Sequence, residues 1–94
     1  MISVPNKYID LIIDILEWHI TEYKLEIDFQ IMLKRILDKL YSAKTTEKEC
    51  FLKSKEVYYV KECLSDAKNY YPYSNKLLCD IYDWIYIEYI NTKR

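Results

Sequence analysis

Asp10, Asp14 and Glu17 follow one another at four- and three-residue steps, with Lys7 ahead of them. That spacing stacks three carboxylates along one stripe of a helix. Paired carboxylates can do acid–base work or hold magnesium. Magnesium sites add phosphate oxygens cradled by cations or backbone N–H groups, and no such cradle accompanies these three acids. The stripe therefore reads as a solvated polar face that could dock a basic partner. Nucleophilic catalysis needs a nucleophile, a base and an orienting group. The single histidine, His19, has no serine or cysteine tied to it by sequence and reads as a structural or solvent-facing residue at a corner. Cys50, Cys63 and Cys79 are odd in number and have no CxxC spacing. They argue against a disulfide framework or a zinc site and for a reducing compartment. On one helix, Cys50 and Cys63 would stand about 20 Å apart, beyond disulfide reach. No catalytic residue, metal ligand or cofactor site is assigned.

The other chemistry is aromatic. Eleven tyrosines stand among 94 residues, and tyrosine joins a large apolar ring to a polar tip suited to interfaces. Tyr70, Tyr71 and Tyr73 cluster before the last helix, and Tyr82, Tyr86 and Tyr89 run along it. Near them lie Asp66, Asp80 and Asp83.

Composition narrows the field. Half-apolar and nearly one-third charged is the balance of a folded domain, and the whole chain, residues 1–94, is expected to form one. Glycine is absent, which removes phosphate-binding glycine loops and nucleophile elbows in standard form. A net charge of −1 gives no general attraction to nucleic acid or membrane. Lys34, Arg35, Lys39, Lys53 and Lys55 are interspersed with acids and make no base-reading helix stripe. No membrane span, leader peptide or lipidation signal is expected, and the reading is cytoplasmic.

These side chains must be carried by helices. A first helix is expected over residues 6–17, capped by Asn6 or Ser3. It is apolar over most of its circumference, so it should pack against more than one neighbour. Trp18, His19 and Ile20 would form a tight corner. Thr21 would then cap a second helix over residues 22–41, with Glu22 in its first turn. Residues 20–31 also alternate apolar and polar, and an extended segment at 23–28 stays open. A loop at 42–46 leads to a capping-box pair, Thr46 and Glu49, and a third helix over 47–68. The proline at position 72 enforces a break. Ser74 would cap a fourth helix over 75–91, with Leu78, Ile81, Ile85 and Tyr89 inward. Short connections then imply an all-α antiparallel four-helix bundle.

A first helix carrying Tyr8-Ile9-Asp10-Leu11-Ile12 precedes Ile20-Thr21-Glu22-Tyr23. A long second helix follows, and the third closes in Leu64-Ser65-Asp66-Ala67-Lys68-Asn69-Tyr70-Tyr71-Pro72. This layout resembles the colicin D-type immunity proteins and other small bacterial toxin-immunity proteins, including those of contact-dependent inhibition. The resemblance implies a four-helix bundle that binds a toxin's nuclease domain and blocks its active site. A nuclease site is basic because it holds phosphates, so an acidic, aromatic surface is its natural complement. The first expected docking surface is Asp66, Tyr70, Tyr71, Tyr73, Asp80 and Asp83. The second is Asp10, Asp14 and Glu17. The expected partner is a protein, with no direct nucleic-acid or membrane contact. Two rivals keep the non-catalytic character: a phage-type inhibitor of a host defence nuclease, and a structural or oligomerisation module. The wide apolar coverage of the first and last helices motivates the second rival and leaves a homodimer open.

Overall fold

A computed structural model describes residues 1–72 and 76–93. Four helices and two short strands run in the order β1 (Ile2–Val4), α1 (Asn6–Glu22), α2 (Ile27–Thr46), β2 (Cys50–Leu52), α3 (Ser54–Tyr70) and α4 (Lys76–Thr92). The chain is mostly helical, as expected, with a two-stranded antiparallel sheet that the all-helical expectation lacked.

α1 starts after Pro5, whose carbonyl accepts the Tyr8 N–H at 2.9 Å. Asn6 makes no side-chain cap, and Ser3, the other expected cap, lies in β1. The helix does not turn at Trp18-His19-Ile20. It runs to Glu22, because His19 extends the buried stripe of Ile12, Ile15 and Leu16 by one more turn. The turn comes at residues 23–26, where Tyr23 is extended and its N–H closes onto the His19 carbonyl at 3.1 Å. Gln30 secures the far side, its side-chain amide donating to the Leu25 carbonyl at 2.9 Å. Thr21 does not cap α2; its hydroxyl donates back to Glu17 within α1. Apart from this link the alternating stretch is helical, so the apolar face of α2 overrides the strand-like pattern.

Residues 42–46 are not a loop but the last turn of α2. The hydroxyls of Thr45 and Thr46 donate to the carbonyls of Tyr41 and Ser42. Glu47 then enters the left-handed region at φ 56° and ends the helix, a place where chains usually put glycine or asparagine. The third helix does not start at Glu47, and the Thr46–Glu49 capping box does not form. Cys50-Phe51-Leu52 is instead a strand, with Cys50 and Leu52 buried and Phe51 exposed. It pairs with β1 in the register Ile2↔Leu52, Ser3↔Phe51 and Val4↔Cys50. α3 begins at Ser54, where the Glu56 carboxylate accepts the Lys53 backbone N–H at 2.8 Å. Cys50 and Cys63 are thus on different elements, each a buried free thiol. Ser74, the expected cap of α4, lies outside the described residues.

Every helix contributes to one core. Ile12 and Leu16 of α1, Leu33 and Ile36 of α2, Val60 and Leu64 of α3, and Ile81 and Ile85 of α4 are fully buried. Burying such a side chain stabilises the fold by roughly 1.5–3 kcal/mol. The rings of Tyr8 and Trp84 meet at 5.6 Å and join α1 to α4. Among the described residues no helix is long and apolar enough to cross a membrane.

Candidate functional site

The last turns of α1 and α3 meet, and their four-residue spacings decide what gathers there. On α1, Trp18 and Glu22 are one turn apart and share a direction, while Tyr23, extended just past the helix, stacks its ring on His19. On α3, Asp66 and Tyr70 are likewise one turn apart. His19 is only 3 % exposed, so it is not a solvent-facing corner residue. Its Nε2 lies 2.9 Å from Asp66 Oδ2. With a carboxylate as acceptor, that nitrogen carries the proton. Nδ1 is buried and has no hydrogen-bond partner among the described residues. The imidazole is stacked on Tyr23 at 4.5 Å and on Phe29 at 5.8 Å. An imidazole so enclosed ties two helices together.

Outside this tether lies an open cleft lined by Trp18, Glu22, Tyr23, Tyr70 and Pro72. Trp18 makes edge-to-face contacts with Tyr23 at 5.7 Å and with Tyr71 at 5.3 Å, the geometry aromatic pairs prefer. Tyr70 stands at the rim, 69 % exposed. Burial raises the Tyr23 hydroxyl above its ordinary value, and Asp66, Tyr70 and Glu22 add in the same direction.

Of the first expected surface, the structure thus brings together Asp66, Tyr70 and Tyr71. Tyr73 lies outside the described residues. Asp80 and Asp83 are exposed on the outer side of α4 and form no hydrogen bond or ion pair among the described residues. They continue towards exposed Tyr86, Ile87 and Ile90 further along that helix. Trp18, Glu22 and Tyr23 were missed because the corner was placed too early. The available signal was His19, which falls on the same stripe as Ile12, Ile15 and Leu16.

The second expected surface is partly answered within the chain. Lys44 of α2 pairs with Asp10 at 2.8 Å, and the Tyr41 hydroxyl donates to Glu17 at 2.9 Å. The hydrogen bond and charge of Asp10 raise Lys44 above its ordinary value. The bond to Glu17, then burial, raises Tyr41. Asp14 stays exposed.

Positive charge gathers at the other end of α3. Arg35, Lys39, Lys53 and Lys55 surround a second cleft with Glu56 and Met32. Glu56 is 3 % exposed and receives the Lys39 ammonium at 2.7 Å. Among the described residues no three histidines, cysteines or carboxylates are grouped to hold a metal ion. No protein-family model, curated protein or solved structure matches the chain.

Proposed function

We propose that this chain is a non-catalytic inhibitor, an immunity protein that binds a cognate nuclease toxin and covers its basic active site. In this reading the four helices pack as an antiparallel bundle in the cytoplasm of a bacterial cell. The observation that carries it is the cleft at the ends of α1 and α3, where the rings of Trp18, Tyr23 and Tyr70 meet the Glu22 carboxylate and, among the described residues, no lysine or arginine lines the wall. A nuclease site must be basic to hold phosphates. An acidic surface meets such a site by charge complementarity and speeds encounter. Aromatic walls supply apolar contact at little cost in conformational freedom. The His19–Asp66 tether holds these groups in place before binding, which lowers the ordering cost of association.

Growth rescue tests the reading. The neighbouring gene, or its C-terminal domain, is expressed with and without this protein. Killing by the neighbour alone and recovery with both supports inhibition. A harmless neighbour, or killing that persists, removes it.

A second reading rests on a separate observation. Tyr86, Ile87 and Ile90 leave an apolar strip exposed on α4, which fits a helical oligomerisation module pairing two copies. Sedimentation separates the two: a mass of one chain at all concentrations removes the second reading.

A further inference from the structure

We propose that the cleft between the ends of α1 and α3 is a receptor for one arginine side chain presented by a partner protein. The proposal deepens the inhibitor reading and, as an account of the partner, rests on it. Its grounds are the composition and sign of the site. Trp18, Tyr23 and Tyr70 supply three rings, and Glu22 supplies a carboxylate with no ion pair among the described residues. Behind Tyr23 stands Asp66. Its Oδ2 is held by His19, while the side chain remains 45 % exposed.

A cation entering this cleft meets aromatic rings and the Glu22 carboxylate together, the combination that replaces its lost hydration. Of the two biological cations, guanidinium suits the walls better. It is planar, stacks on rings, is more weakly hydrated than ammonium, and donates to carboxylates as a fork. Among the described residues no lysine or arginine lines the place. Burial is the main cause of the raised Tyr23 hydroxyl, and Asp66, Tyr70 and Glu22 add to it. The other acid groups differ. Asp10 has Lys44 as its own cation, and Asp80 and Asp83 stand exposed on α4.

The experiment is a titration of the whole chain with N-methylguanidinium at constant ionic strength, followed by NMR of the Trp18 indole N–H and the Tyr23 and Tyr70 rings. N-methylurea, the neutral analogue, is the control. The expected result is saturable shifts confined to the cleft, absent with N-methylurea. Glu22→Gln and Tyr70→Ala should each weaken binding about fivefold. Both positions are exposed, so neither change threatens the fold. Shifts spread equally over Asp14, Asp80 and Asp83, or no shift at Trp18, overturn the proposal. The titration contains no toxin. Cleft binding without growth rescue upholds the receptor and removes the inhibitor reading, and rescue without cleft binding does the reverse.

Discussion

Asp66 Oδ2 stands 2.9 Å from His19 Nε2, across 47 positions of sequence. One carboxylate thereby joins α1 to α3 near their ends while its side chain stays 45 % exposed.

Replacing Asp66 should therefore cost stability before it costs anything else. Asp66→Ala leaves a buried imidazole with no partner on either nitrogen, which destabilises by about 1–3 kcal/mol. In a domain this size each kcal/mol lowers Tm by about 4–8 °C. Asp66→Asn keeps an oxygen that accepts from Nε2 and should recover most of the loss. Urea or thermal unfolding of both variants checks this. An unchanged Tm in the alanine variant would show that the tether contributes nothing to the fold.

Glu56 is the second buried polar group among the described residues. It accepts the Lys53 backbone N–H and the Lys39 ammonium, so it joins α2 to the start of α3. Lys39→Met should destabilise by roughly 1.5–3 kcal/mol, the range for a lost hydrogen bond to a charged group. The double variant Lys39→Met, Glu56→Gln should be less damaging than the single one, because no buried charge is then left behind. Denaturant midpoints of the two variants and the parent decide it.

The helices were legible because their cores repeat at helical steps, as in Leu33, Ile36 and Leu40 or Leu78, Ile81 and Ile85. The sheet was not. Cys50-Phe51-Leu52 is too short for alternation to register, and its partner strand lies at the other end of the preceding sequence. Thr46 and Glu49 matched a capping box, but the hydroxyl of Thr46 had a nearer acceptor in Ser42. The early corner at Trp18-His19-Ile20 has a similar cause. A buried histidine needs a remote partner, and nothing local identifies Asp66 as that partner. With no glycine or proline to mark the true turn at residues 23–26, the break was invisible, and so was half of the cleft. Asp66, Tyr70 and Tyr71 could be read from their clustering near a forced helix end. Trp18, Glu22 and Tyr23 join them only through the tertiary contact.

The thiols give a prediction with a definite sign. Burial raises the Cys63 thiol strongly above its ordinary value, with Asp66 and Glu62 adding, and burial also raises Cys50, against the pull of Lys39. A folded value above the unfolded one means the contribution to stability is fully present below the unfolded thiol value of about 8.5 and is lost as pH rises beyond it. Tyr23 and Tyr41 are raised as well and act in the same direction at higher pH. Unfolding midpoints should therefore fall above about pH 9, and Cys63→Ala should flatten that limb relative to its own neutral-pH stability. At neutral pH a thiol reagent should label exposed Cys79 in the native protein and reach Cys50 and Cys63 only after unfolding. Fast labelling of all three in the native state would contradict the buried placement.

The two acidic surfaces should respond differently to charge reversal. Glu22→Lys puts a cation into a cleft whose wall holds no other cation among the described residues, so it should oppose a basic partner that docks there. Asp14→Lys alters a stripe that Lys44 already partly neutralises through Asp10. Against the toxin domain that growth rescue identifies, Glu22→Lys should slow association about tenfold at low salt, with the deficit shrinking as salt screens the charges. Asp14→Lys, which changes net charge by the same amount, should cost far less. Stopped-flow association rates over a salt series measure both. Equal losses would mean that only total charge matters, and the partner would then be attracted to the whole chain and not seated at the ends of α1 and α3.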